Sequence, residues 1–193
     1  MALTKEQIKE FEEAEKEAEN CNQYTYVADD IAEAGDLEWA KKVYAKAESV
    51  AEQSDDFSEL ADIIYKKYGD KNWIMELCKK AEDYAEQSGD FQWLGDNVYQ
   101  YLGDIEWAKR VYLKAEDKAE YIGDFSNLAE SLCDNLNDKV WAKKVCEKAE
   151  KKFEECDDFE ILAETVGERL GDKKWAKLLE QKAKELEEDE DGD

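Results

Sequence analysis

Five tryptophans, Trp39, Trp73, Trp107, Trp141 and Trp175, stand 34 residues apart each time. A period of this length marks one supersecondary unit that buries its apolar face only against copies of itself, so the fold must be an array. The stretch from Gly103 to Leu136, GDIEWAKRVYLKAEDKAEYIGDFSNLAESLCDNL, is that unit, and shifting it by its own length lands on near copies. An array whose core runs from end to end accommodates 193 residues with no room for a separate domain.

Two helix types alternate within the period. One carries Phe57, Leu60, Ala61, Ile64 and Tyr68, recurring as Phe91, Leu94, Gly95, Val98, Leu102, then as Phe125, Leu128, Ala129, Leu132, Leu136, and as Phe159, Leu162, Ala163, Val166, Leu170. The other carries Trp39, Ala40, Val43, Tyr44, Ala47, recurring with Trp73, Trp107 and Trp141. Both stripes follow the helical repeat, and the absence of Pro suits uninterrupted helices. The boundaries share one punctuation: Gly35-Asp36, Gly69-Asp70, Gly89-Asp90, Gly103-Asp104, Gly123-Asp124 and Gly171-Asp172, with Asn137-Asp138 as a variant. Each pair is expected to close one helix through a left-handed Gly and cap the next through Asp; Asp55-Asp56 and Asp157-Asp158 keep the cap alone. Thr4 with Gln7 has capping-box spacing and starts a degenerate first helix over 4–21, followed by a helix from Tyr24 to Ala34. The expectation is an all-α solenoid of about eleven helices over 1–188, with repeats from 23, 56, 90, 124 and 158 and an acidic, disordered tail over 189–193.

Within Leu94–Glu116, the residues Leu94-Gly95, Gly103-Asp104, Ala108, Tyr112 and Ala115 fill a pattern that resembles the tetratricopeptide repeat, whose length is also 34. The resemblance covers essentially the whole array. Two departures stand out: the first helix reads one residue longer, and the proline that usually ends the second helix is missing in every copy. The resemblance implies a right-handed solenoid whose first helices line a concave face for extended peptides or partner helices, with no catalytic activity.

The formal charge is −25, from 52 acidic and 27 basic residues, which repels nucleic-acid backbones and anionic membranes and suits a basic peptide or protein. On the Phe-type helices one column is always acidic: Asp29, Asp62, Asp96, Glu130 and Glu164. Stacked copies would make it a carboxylate ladder, and by the resemblance it would face the inner groove. Three residues on stand Ala32, Tyr65, Tyr99, Cys133 and Gly167, a column with an aromatic centre; Gln92 and Ser126, with Ser58 and Glu160, add polar groups beside it. Acids next to tyrosines suit Lys and Arg side chains through charge-assisted hydrogen bonds and cation–π contacts. The competing readings are a merely solvated acidic face, a structural subunit growing head to tail into homo-oligomers, and an engineered or consensus-like array without a partner.

Enzymatic readings lack material. There is no His, no Cys pair at zinc spacing and no Gly-rich phosphate loop, so neither a cofactor nor a metal is expected. Asp29-Asp30 and Asp157-Asp158 read as exposed or capping acids, and the tail lacks the twelve-residue frame of a calcium loop. Cys78 and Cys146 take the place of Tyr44 and Tyr112, and Cys133 that of Tyr65 and Tyr99, as small packed side chains; Cys21 and Cys156 fall near turns. Five unpaired cysteines, no signal-like start and no apolar run of membrane length point to a cytoplasmic protein.

Overall fold

A computed structural model describes residues 3–190. Among the described residues the chain is all-α, with eleven helices and no strand: α1 (Lys5–Glu17), α2 (Cys21–Glu33), α3 (Leu37–Val50), α4 (Ser54–Tyr68), α5 (Lys71–Tyr84), α6 (Ser88–Asn97), α7 (Ile105–Lys118), α8 (Ile122–Asp134), α9 (Lys139–Lys152), α10 (Cys156–Thr165) and α11 (Lys173–Glu190). The even-numbered helices are the Phe type and the odd-numbered ones the Trp type. None is long and apolar enough to cross a membrane.

The chain divides into two compact units, one up to Ala85 and one from Glu86 on. In the first, α2 pairs with α3 and α4 with α5, and α1 packs on α2. In the second, α6–α7, α8–α9 and α10–α11 are the pairs, and α8 lies between α6 and α10.

The Trp-type helices start as their sequence demands. Asp36, Asp70, Asp104, Asp138 and Asp172 each accept a bond from the backbone N–H of the tryptophan three residues on, at 2.9–3.3 Å. Before them, Gly35, Gly69, Gly103, Asn137 and Gly171 hold positive φ, which Gly adopts without steric cost and Asn tolerates.

The same dipeptide does different work at the Phe-type helices, and here the sequence expectation is corrected. Gly89 and Gly123 are not left-handed closures; they lie inside the first turns of α6 and α8. Asp56, Asp90 and Asp124 sit in the first turn, and each carboxylate reaches back to two backbone N–H groups: Glu52 and Gln53, Glu86 and Gln87, Glu120 and Tyr121, at 2.8–3.2 Å. These helices therefore begin two residues before the 56, 90, 124 and 158 read from sequence, at Ser54, Ser88, Ile122 and Cys156. What decides is the approach: Ala51, Ala85, Ala119 and Phe153 end the preceding helices in extended conformation, so no left-handed residue is needed. The extended linkers do this without proline.

Two of the Phe-type helices extend beyond their α-helical span. Val98–Leu102 and Val166–Leu170 continue α6 and α10 as π-helical turns, whose wider spacing absorbs one residue without breaking the helix. At the C-terminus α11 keeps Asp189 and Glu190 helical, and residues 191–193 of the expected tail lie outside the described residues.

The core is the seam between paired helices. Ala40, Val43, Tyr44 and Ala47 are wholly buried, as are their equivalents Ala108, Val111, Tyr112 and Ala115. One contact sets its local design: a Cβ built on Gly95 would stand 2.5 Å from Tyr112 Cε1, so the tyrosine ring needs a glycine beneath it. In the neighbouring copies both positions change together, to Ala61 with Cys78 and to Ala129 with Cys146. The first copy, where the two are one residue closer in sequence, holds Ala28 with Tyr44. The cysteines at 78 and 146 are thus volume partners of alanines, and burial pushes both thiols up to about 12, well away from reactive thiolate.

Candidate functional site

The choice between Tyr and Cys in the core governs the acidic column. Where the core residue is tyrosine, its hydroxyl holds the carboxylate: Tyr44 Oη donates to Asp29 at 2.6 Å and Tyr112 Oη to Asp96 at 2.7 Å. Asp96 also accepts from Asn135 Nδ2 at 2.7 Å and Ser131 Oγ at 3.4 Å. Where the core residue is cysteine, the column turns to surface cations. Lys66 pairs with Asp62 at 2.6 Å, and Arg169 pairs with Glu130 while its second nitrogen lies 3.3 Å from Asp134. Asp29 takes a cation as well, Lys67 at 2.9 Å. Glu164, in the last copy, is exposed.

Of the other expected site residues, Gln92 joins the network of the second unit, donating to Ser131 Oγ at 2.9 Å and to the Asn127 carbonyl at 3.2 Å. Tyr99 is half-buried and lines a cleft with Asn135, Ile105 and Val140. Tyr65 is exposed. Ser126 is buried with its hydroxyl outside any hydrogen bond, so it offers no polar contact to a partner. The structure therefore brings Gln92, Asp96 and Ser131 together, leaves Tyr65 on the surface and removes Ser126 from it.

Sequence reasoning passed over the cations. The Phe-type helices and their π-turns contain only three basic residues, Lys66, Lys67 and Arg169, and each is bound to a carboxylate of the column. No basic residue occurs on α2, on α6 with its π-turn, or on α8. The Trp-type helices α3, α5, α7 and α9 mix both signs. Positive charge is thus concentrated on the Trp-type helices, which leaves the Phe-type helices net negative. Around Glu59 the negative charge becomes dense enough to matter: partial burial and then Asp56, Asp29, Asp55 and Asp62 hold its carboxyl above the ordinary range. Asp96 is raised too, because burial outweighs the bonds from Tyr112, Ser131 and Asn135.

These shifts set a pH dependence. With raised folded pKa values, Glu59 and Asp96 oppose folding at neutral pH, and that opposition fades as pH falls through those values. Asp70 runs the other way: the Trp73 backbone N–H and Lys41 lower its pKa, so its stabilisation is lost as pH falls through the depressed value. The expected profile has the melting temperature rising as pH falls from neutral through the raised values, and dropping again on further acidification through the depressed one. Asp96→Asn should flatten the rise; an unchanged profile in calorimetry would contradict the assignment.

A second recurring constellation braces the Trp-type helices. Trp39, Trp73, Trp141 and Trp175 donate through Nε1 to Glu15, Glu48, Glu116 and Glu150 of the preceding copy, at 2.7–3.0 Å. Lys46, Lys80 and Lys148 bind three of the same carboxylates. Lys80, Lys114, Lys148 and Lys182 also stand over the rings of Phe57, Phe91, Phe125 and Phe159, 4.0–5.9 Å from their centroids. The strict 34-residue recurrence of these lysines was the available signal. Their role is structural: each clamp uses its carboxylate internally.

Fold and site together define an all-α helical-repeat protein with an acidic surface on one helix type. Comparison with protein-family models and with curated proteins returns no match.

Proposed function

We propose that the chain is a non-catalytic, tetratricopeptide-like binding scaffold that captures a basic segment of a partner on the carboxylate-rich surface of its Phe-type helices. The observation that carries this reading is the fate of Lys66, Lys67 and Arg169: every cation the chain places on those helices is taken up by the column. A partner's Lys or Arg would be held in the same way, by charge-assisted bonds to acids the chain leaves without a cation. Glu59, already under the repulsion of four neighbouring carboxylates, gains most from such a guest. Exposed Tyr65 in the first unit and Trp93 in the second offer ring faces to it.

The competing reading, head-to-tail assembly, is disfavoured by the last copy. The position wholly buried as Tyr44, Cys78, Tyr112 and Cys146 is Glu180 there, and the clamp carboxylate of Glu48, Glu116 and Glu150 is replaced by Lys184. Both changes suit a solvated terminal copy.

A nine-residue peptide of alternating Lys and Arg, titrated calorimetrically, tests the proposal. Its affinity should drop about tenfold in the variant Asp30→Asn/Glu33→Gln/Glu59→Gln, in which only exposed acids of α2 and α4 change. It should also weaken steadily with added salt. Equal binding by the variant would overturn the reading.

A further inference from the structure

Building on that reading, we infer that the groove between α10, its π-turn and α11 docks an amphipathic helix of a partner protein, with an arginine of that helix held between Glu164 and Glu168. The chain contains its own template for this contact. In the second unit Arg169 reaches from the π-turn of one copy onto Glu130 and Asp134 of the copy before it. Adding one period to Glu130 and Asp134 gives Glu164 and Glu168, the same pair of carboxylates four residues apart. Both are exposed, and among the described residues no basic group pairs with either.

The groove has the form such a guest needs. It is a cleft of about 620 Å³ whose floor includes the small residues Ala163, Gly167 and Ala176. Gly167 stands where Tyr65, Tyr99 and Cys133 stand in other copies, and a Cβ on it would already touch the Ala176 Cβ at 3.4 Å. No large side chain therefore rises from the groove at this position, and the packing of α11 on the π-turn uses small residues. The equivalent ledge of the preceding copy, on α8 and α9, is covered by α10 and its π-turn, so the natural occupant is a helix.

Charge selects which helix. The α10 wall and its π-turn present Glu160, Glu164 and Glu168, while the α11 wall presents Lys173, Lys177 and Lys184 with one acid, Glu180, among them. A fitting guest carries basic residues along one edge and acidic residues along the other, over a narrow ridge of Ala or Leu. A second copy of this chain does not meet that requirement. Its first Phe-type helix, α2, has no basic residue, and the place of Arg169 is taken there by Ala34.

The probe is a stapled, fluorescently labelled 15-residue peptide with the sequence of residues 156–170, carrying C156S, E160K, E164K and E168K and keeping Arg169. Fluorescence anisotropy with the full chain should show saturable binding that Glu164→Gln/Glu168→Gln in the protein weakens tenfold or more. Arg169→Ala in the peptide should cost about as much, and the α2/α4 acid variant should bind the probe unchanged. Equal binding to the Glu164→Gln/Glu168→Gln protein overturns the inference. So does failure of the probe to bind while the Lys-Arg nonapeptide still does, an outcome that spares the broader reading. Both substituted residues are exposed, so the variant is expected to fold as the parent does.

Discussion

Gly95→Ala should destabilise the second unit by about 1–3 kcal/mol, the usual range for overpacking a filled core. The added methyl would sit 2.5 Å from Cε1 and 2.8 Å from Cδ1 of Tyr112, a ring with no solvent exposure. The ring cannot swing aside without losing its bond to Asp96, which is itself half-buried. The backbone of Gly95 is an ordinary helical one, so the cost is steric and not conformational. Tyr112→Cys alone should also destabilise, through a cavity and the lost hydroxyl. The double variant recreates the Ala–Cys combination of the neighbouring copies, so it should be more stable than the sum of the single losses by at least about 1 kcal/mol. Simple additivity in urea denaturation would show that the two positions do not share one volume.

Glu116→Ala is the second large effect, again about 1–3 kcal/mol. The Glu116 side chain is only 22% exposed and binds Trp141 Nε1 at 2.8 Å and Lys148 at 3.4 Å. Removing it leaves an indole N–H without its acceptor in a half-buried site. Glu116→Gln separates the contributions: the amide oxygen still accepts from Trp141 while the ion pair is lost, and an exposed pair of this kind contributes less than about 1 kcal/mol. The expected order of stability is therefore wild type, then Glu116→Gln, then Glu116→Ala. Equal losses in the two variants would mean that charge, and not the indole bond, holds the clamp.

The contrast between these sites and the acidic column shows what periodicity can and cannot reveal. Trp107 and Ala115 were legible as core because each recurs at its own position in every Trp-bearing copy, and helical spacing places Ala108 and Tyr112 on the same stripe. Four of the six Gly-Asp pairs were legible as closure and cap, and Gly89-Asp90 and Gly123-Asp124 were not. Gly103 and Gly89 stand in identical dipeptides, but one closes a helix in the left-handed region and the other sits inside the next helix after an extended linker. The state of the column was hidden for a different reason. Asp29 meets Lys67, Asp96 meets Asn135 and Glu130 meets Arg169, at separations of 38 or 39 residues that are not multiples of the period. Aligning copies compares a position with itself and is blind to which neighbours touch across the stack. The scarcity of basic residues on the Phe-type helices was visible in the sequence, and the ion pairs give it meaning.

That scarcity is also the point at which the functional account is most exposed to test. Chemical-shift mapping of the labelled chain with the Lys-Arg nonapeptide reports, amide by amide, where a cationic guest settles. The account predicts that the perturbations concentrate on α2, α4, α6, α8 and α10, with the largest near Glu59, and that they vanish at high salt. Perturbations centred on the Trp-type helices, or spread evenly over every acidic residue, would contradict it.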